Sequence, residues 1–450
     1  MSNNLSARLT FDDLPSWFAA GCKPRDAWRI GTEHEKIGFC MDSLKPIPYD
    51  GKRSIKGLLE MLAGHGWDPV VEGKNIIALK RGLASITLEP GGQLELSGAP
   101  LETIHQTCNE TTEYHKLVRS ISDELGIGFL TLAFQPKWQR DDIHWMPKAR
   151  YAVMRDYMPR VGEAGLDMML RTTTVQANLD FASEADMAKK MRISLCLQPL
   201  ITAMYAASPF EGGKPSGYLS RRAACWLDTD PHRTGILQCA FEDDFGFEAY
   251  SQWALDAPMY FIMRDDAYID CTGSSFRDFM LGKLPQLPGQ YPDMNDWELH
   301  LSTLFPDVRL KQYLEMRGAD AGAWPWICSL PALWKGLLYD PQAEDAAWNL
   351  IADWSFDEVN GLRQAVPRTA LQTPFRQTTV VKLCEQVLNI SKAGLQRLNQ
   401  QNQAGEDESI FLEPVIRAVE SSQTQAEHWL KLYQNEWNED IDRVFFAAMH

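Results

Sequence analysis

No C-x-x-C pair occurs anywhere in the 450 residues, and the nine cysteines (22, 40, 108, 196, 225, 239, 271, 328 and 384) are scattered and odd in number. That spacing excludes a zinc-ribbon type of site and a secreted disulfide scaffold. Long hydrophobic runs are missing too. The most apolar neighbourhood, LCLQPLITAMYAA from Leu195, contains Gln198 and Pro199 and is too short to span a bilayer. The first residues, MSNNLSARLTFDDLPSWF, show no basic region followed by an apolar one, so no signal peptide is expected, and the chain reads as a reduced cytoplasmic protein. Positive charge is scarce: 44 Lys and Arg against 60 Asp and Glu leave a formal charge of −16. An acidic body is a poor partner for nucleic acid or an anionic membrane, and neither is expected. Any anionic substrate must be met by a few local Arg, Lys or metal charges.

Familiar nucleotide loops are also lacking. EGGKPSG has neither the upstream Gly nor the following Ser or Thr of a P-loop, and no G-x-G-x-x-G follows a strand. HEKIG lacks the second His of H-E-x-x-H, which excludes that zinc-protease motif. With 45% hydrophobic and 23% charged residues the composition is ordinary for a globular protein, so disorder is excluded as well.

What is present is a set of alternating segments. LTFDDLPSWFAAGCKP predicts a short helix capped by Thr10, with Asp13 three residues on and Gly21 at its exit. WRIGTEHEKIGF and SITLEPGGQLELSG then predict strands with apolar residues on one face and carboxylates on the other. Leu101, Ile104, Cys108, Leu117, Ile121 and Leu125 fall at helical spacing and predict a long amphipathic helix. LRTTTVQANLDF is a further strand, and SEADM from Ser183 opens a helix with a capping pattern. QYLEMRG alternates again and places Tyr313, Glu315 and Arg317 on one face. Helical patterns dominate from about 378 to 450, with the polar NQQNQAGEDES before a final helix ending near Phe446. Strands and helices without regular βαβ alternation predict an α+β domain on a mainly antiparallel sheet, and 1–450 reads as one domain.

The polar faces of these strands carry Glu33, Glu35, Glu89, Glu95, Gln176, Asn178 and Glu315. Glu33 and Glu35 alone are about 7 Å apart on one face of an extended strand, where like charges repel unless a cation lies between them. Two readings stand side by side. One is a solvated sheet face, common in antiparallel sheets. The other is a site for hard divalent cations, which take oxygen ligands and sit between carboxylates and nucleotide phosphates. The glycines flanking both motifs, where a ligand or backbone comes close, favour the second. His34 lies between the two Glu residues and points to the opposite face. The cations near these elements are Arg150, Arg155, Arg221, Arg222 and Arg317, and an Arg fork suits substrate carboxylates.

WRIGTEHEKIGF, ITLEPGGQLELSGAPLETIHQTC, FQPKW, MPKARY, GLDMMLRTTTVQANLDF, DTDPHRTG, DCTG, NDWELHL and YLEMRGAD, in this order from about Trp28 to about Phe375, resemble the plant and proteobacterial type of glutamate-cysteine ligase. The resemblance implies a glutamine-synthetase-like fold with a curved, mainly antiparallel sheet forming a funnel flanked by helices. It implies ligation of the glutamate γ-carboxylate to the cysteine amine through γ-glutamyl phosphate, with ATP as co-substrate and two or three Mg²⁺ ions. By the same resemblance Glu33, Glu35, Glu95 and Glu315 hold metal, joined by Glu89 and by Gln176, which stands where distant relatives carry His. Arg222 grips the glutamate carboxylate, Arg150 the cysteine carboxylate, and Arg317 stabilises the transferring phosphoryl group. Of two cysteine pairs in plant members, Cys108 and Cys328 match one, as a disulfide or as a thiol pair; Cys271 matches half of the other, and Gln286 stands at its partner position. A monomer or homodimer is expected. Two alternatives stay open: a ligase of this fold using another amine, and a non-catalytic amino-acid or nucleotide-binding module.

Overall fold

The computed structural model describes residues 8–449. Nine strands form its main sheet: β1 (Ile30–Cys40), β2 (Asp68–Glu72), β3 (Asn75–Arg81), β4 (Ala84–Leu88), β5 (Leu94–Ser97), β6 (Ile127–Leu130), β7 (Thr174–Leu179), β8 (Val308–Leu310) and β9 (Leu314–Asp320). Their order is β8-β9-β7-β1-β5-β4-β3-β2, with β6 paired to the far half of β1, and neighbours run antiparallel throughout. The expected antiparallel α+β architecture is therefore present.

Period-2 alternation decides which side chains go where. On β1, Thr32, His34 and Lys36 are buried behind the sheet, whereas Glu33 and Glu35 point to the other face. His34 packs edge-on against the rings of Tyr114 and His115, with centroids 5.5 and 5.0 Å apart. Those rings belong to α1 (Ile104–Leu125), the amphipathic helix foreseen from its spacing, which a Thr103–Gln106 capping box starts. Three further helices matter to the sheet: α2 (Glu184–Met204), α3 (Trp324–Leu338) and α4 (Val380–Leu398). α2 is buried almost all round from Ile193 to Met204 and packs against β9, so its apolar run is core. Among the described residues no helix is long and apolar enough to cross a membrane.

α3 lies against β7 and α4. A Cβ at Gly336 would run into the Ser391 backbone, and one at Gly394 into the Gly336 carbonyl, so two glycines let these helices approach closely. The chain after 378 is helical as expected, but it ends in three short helices, Glu413–Glu420, Gln425–Asn435 and Asp442–Ala447, rather than in one. The breaks fall at Ser422 and at Asn438 and Glu439, which take positive φ that a helix does not tolerate. The short helix near the N-terminus is Asp13–Ala19, and Thr10 bonds Asp13 through both its N–H (2.8 Å) and its hydroxyl (2.6 Å).

The polar segment between α4 and these last helices carries a structural charge. Glu408 is fully buried; its Oε1 accepts from Lys335 Nζ of α3 at 2.8 Å and from the Ile104 N–H that opens α1 at 2.6 Å. One carboxylate thus joins three elements. Replacing Glu408 by Ala strands a buried ammonium and a helix N–H, and a loss of about 3–5 kcal/mol of unfolding free energy is expected in urea denaturation. A loss under about 1 kcal/mol would contradict the structural role.

Candidate active site

The cross-strand register assembles the carboxylates foreseen from sequence. Glu33 on β1 faces Gln176 on β7 and Ser97 on β5, while Glu35 faces Glu95 on β5, which in turn faces Thr87 on β4. Glu315 on β9 lies beside Asn178 of β7 and Arg309 of β8. Glu33, Glu35, Glu95 and Gln176 line a cavity of about 440 Å³ together with Glu89, Arg150, Arg222 and Arg317, while Glu315 lies behind the Arg309, Lys311 and Arg317 side chains that line it. That volume suits small-molecule ligands. The solvated-face alternative is thereby set aside, since Glu95 is 9% and Glu315 0% exposed.

Glu33, Glu35 and Glu95 each have one oxygen oriented by a neutral donor. Asn178 Nδ2 donates to Glu33 Oε1 at 2.8 Å, the Thr174 N–H to Glu35 Oε2 at 3.0 Å, and the Thr87 hydroxyl to Glu95 Oε2 at 2.6 Å. Burial and mutual repulsion push these carboxyls up: Glu33 to about 7, with Glu315 and Glu95 as the repelling neighbours, and Glu95 to about 6, beside Glu89. Glu35 is raised well above the ordinary range by burial and by Glu95, and Glu89 is raised by burial. Glu315 behaves oppositely. Although burial opposes it, Arg309, Lys311 and Arg317 hold its carboxyl well below the usual range. Arg309 Nη2 lies 2.8 Å and Lys311 Nζ 3.0 Å from Oε1, and Arg317 Nη1 lies 2.7 Å from Oε2.

Charge in the funnel is therefore segregated. Three cations cluster on Glu315, whereas Glu33, Glu35, Glu89 and Glu95 repel one another, and Lys148 and Arg150 in the same cavity only partly offset the burial of Glu89. Among the described residues no three acidic, His or Cys side chains are already drawn together as a cation cage. The donor set itself fits a hard divalent cation, since recessed carboxylates short of positive charge are what such an ion neutralises. Gln176 fits less well, because its oxygen already accepts from Arg317 Nη1 at 2.8 Å.

Arg222 donates to the Arg317 carbonyl at 2.8 Å and stands 4.0 Å from Asp320, deep in the site. Its neighbour Arg221 turns away to Glu211 at 2.7 Å, as successive helix positions must. Arg155 is half-exposed beside Asp156. Arg150 makes one long contact, 3.5 Å to the Ser302 hydroxyl, and its guanidinium lies over the Phe261 ring. Arg317 is aimed by a bulge in β9 between Met316 and Ala319. Gly318 is required there, because a Cβ would collide with the Gln198 amide that accepts its N–H at 3.1 Å.

The flanking glycines serve the fold rather than a ligand. Gly91 is pressed against the Leu170 backbone, and Gly92 takes φ +83° in the β4–β5 turn that sets Glu89. Sequence reasoning passed over Arg309, Lys311, Thr87 and Thr174, and counted Asn178 in the polar face without giving it a task. The alternation V-R-L-K over 308–311 was the available signal for the two cations. Cys108 and Cys328 lie side by side between α1 and α3 as free thiols, outside this cavity, and burial pushes the Cys108 thiol far up. Cys271 is buried, and Gln286 contacts Ser274 instead of a cysteine.

The family model of glutamate-cysteine ligase family 2 matches residues 29–447. The chain belongs to that family. Among curated members of glutamate-cysteine ligase family 2, the chain is 54% identical to the chloroplastic glutamate-cysteine ligase B of Oryza sativa subsp. japonica over 98% of this chain and 88% of that one. It is likewise 54% identical to the chloroplastic enzyme of Arabidopsis thaliana, over 98% and 83%. In fold it matches the glutamate-cysteine ligase of Francisella tularensis solved with AMP, at a TM-score of 0.55 and 13% identity, over 93% of this chain and 88% of that one. The glutamine-synthetase-like class expected from sequence is thus the observed one. The cytoplasmic expectation is corrected: the matching plant members of the family are chloroplastic.

Holding the Glu33 proton more tightly than the unfolded chain does adds stability that is complete below the ordinary value of 4.5 and is lost as pH rises through about 7. Glu33→Gln removes that dependence. Metal-free E33Q is expected to exceed the parent by on the order of 3 kcal/mol at pH 8, as the rise from 4.5 to about 7 implies, and by under about 1 kcal/mol at pH 5. Denaturation at both pH values measures this, and a gain of the same size at pH 5 would contradict it.

Proposed function

We propose that the funnel joins the γ-carboxylate of glutamate to the amine of cysteine at the expense of ATP, giving γ-glutamylcysteine, the first step of glutathione synthesis. The observation that carries the reading is the segregated funnel itself. Carboxylates raised by burial and by one another stand beside Arg150, Arg222 and Arg317 in one cavity, in a chain 54% identical to named ligases over nearly its whole length. The whole chain, with its helical portion from about 378, would act as one catalytic unit.

A carboxylate is a poor acyl donor, so its oxygen must first be phosphorylated. An oxygen of the γ-carboxylate attacks the terminal phosphorus of ATP, the bond to the departing ADP breaks, and an acyl phosphate forms. The cysteine amine then attacks the acyl carbon, inorganic phosphate leaves, and the amine gives up a proton. Positioning and charge neutralisation dominate such transfers. Glu33, Glu35, Glu89 and Glu95 would hold Mg²⁺, which when bound supplies positive charge to the phosphate oxygens. Glu315 and Gln176 complete the candidate set only when the cations now bonded to their oxygens shift. Arg222 would bind the glutamate carboxylate, Arg150 the cysteine carboxylate, and Arg317, now bonded to Gln176 and Glu315, would stabilise the phosphoryl oxygens.

ADP release with glutamate and Mg²⁺, measured while the amine is varied, tests the reading. Turnover is expected with cysteine. Turnover with another amine alone would assign a different ligase, and none with any amine would leave a binding module. Arg317→Ala is expected to lower kcat by about 10²–10³ with little change in KM. Glu35→Gln should lower activity by orders of magnitude while keeping the fold by circular dichroism; an unchanged rate and Mg²⁺ dependence would remove Glu35 from the site.

A further inference from the structure

Three cations converge on Glu315, and they are not held alike. Arg309 is forked between Glu315 Oε1 at 2.8 Å and the Leu304 carbonyl at 3.1 Å. Arg317 is forked between Glu315 Oε2 at 2.7 Å and Gln176 Oε1 at 2.8 Å. Each guanidinium is thus tied to a second acceptor fixed in the protein. Lys311 is held more loosely: its Nζ stands 3.0 Å from Glu315 Oε1, and its second acceptor is the side-chain hydroxyl of Tyr313, two residues along, at 3.2 Å. Its side chain is 28% exposed, against 10% for Arg309 and 12% for Arg317. It reaches the cavity on a flexible four-carbon stem, whereas the arginines present rigid forks.

The position of this ammonium is as telling as its loose hold. Lys311 acts on both Glu33 of β1 and Glu315 of β9, the two carboxylates that flank the β7 strand. It is the loosest of the positive charges on Glu315 and the one best able to leave. An ammonium and a divalent cation compete for the same oxygens, because each repels the other at hydrogen-bonding range.

We propose that Lys311 is a displaceable counter-cation, a positioning residue whose ammonium fills part of the carboxylate cluster until a divalent cation takes its place, and which thereby weakens metal binding in the absence of nucleotide. Arg309 is its complement, a fixed cation that holds Glu315 in place in either state. The inference rests on reading the funnel as a divalent-cation site, and it assigns to this chain's own residue the setting of that site's affinity.

The test is direct Mn²⁺ binding without nucleotide or substrate, followed by the paramagnetic resonance signal of free Mn²⁺, for the parent chain, K311Q, K311M and K311R. Removing the charge is expected to tighten Mn²⁺ binding about tenfold in both neutral variants, equivalent to about 1.4 kcal/mol, while K311R stays within about threefold of the parent. A residue with a merely structural role would weaken binding when replaced, so the sign decides. Equal or weaker binding in the neutral variants, with the parent binding Mn²⁺, overturns the proposal and leaves the metal-site reading standing. Absence of Mn²⁺ binding in the parent overturns that reading, and the proposal with it.

Discussion

Mutual repulsion among Glu33, Glu35, Glu89 and Glu95 is the constraint to which the rest of the site answers. Four carboxylates, three on neighbouring antiparallel strands and Glu89 in the turn between β4 and β5, recessed from bulk water, are an electrostatic cost. The chain holds them in place with neutral donors, from Asn178, Thr174 and Thr87, which orient one oxygen of Glu33, Glu35 and Glu95 without cancelling its charge. Three cations are gathered on Glu315, and Lys148, Arg150 and Arg222 line the cavity without bringing Glu35, Glu89 and Glu95 back to the ordinary range. A funnel built this way is kept short of positive charge on one side and rich in it on the other, which suits a reaction bringing together ATP and two amino-acid carboxylates.

Such a face needs a rigid back, and the opposite side of the same strands supplies it. His34, between the two carboxylates on β1, is packed against Tyr114 and His115. The buried stretch of α2 braces β9, and the Gln198 amide meets the Gly318 N–H where the bulge re-aims Arg317. Glu408 ties α1, α3 and the C-terminal helices into the same body. A shift of any of these would move a carboxylate relative to its neighbours, so the energetic stakes of packing and of charge placement are shared.

How much of this was legible in the sequence depends on the range of the interaction. Alternation told which face Glu33, Glu35, Glu95 and Glu315 occupy, because side-chain direction along a strand is local. The amphipathic spacing of α1 was equally local, whereas its Thr103–Gln106 cap was passed over. The rest of what escaped was set by pairing between distant segments. Whether the carboxylate face is wet or recessed depends on which strands close the funnel. The clasp of Arg309 and Lys311 on Glu315 depends on the β8–β9 register. The glycines beside the Glu motifs looked like ligand clearances and proved to be backbone contacts from elsewhere in the chain. The resemblance to the ligase family supplied the long-range assembly that periodicity could not, and the comparison with its plant members also removed the cytoplasmic expectation.

The central claim is that Glu33 and Glu35 coexist because a divalent cation joins them. Calorimetric titration of Mg²⁺ at pH 8 into the parent chain and into a variant carrying both Glu33→Gln and Glu35→Gln tests it most directly. Saturable binding by the parent, lost in a double variant at least as thermally stable as the metal-free parent, is the expected result. Undiminished Mg²⁺ binding by the double variant would contradict it.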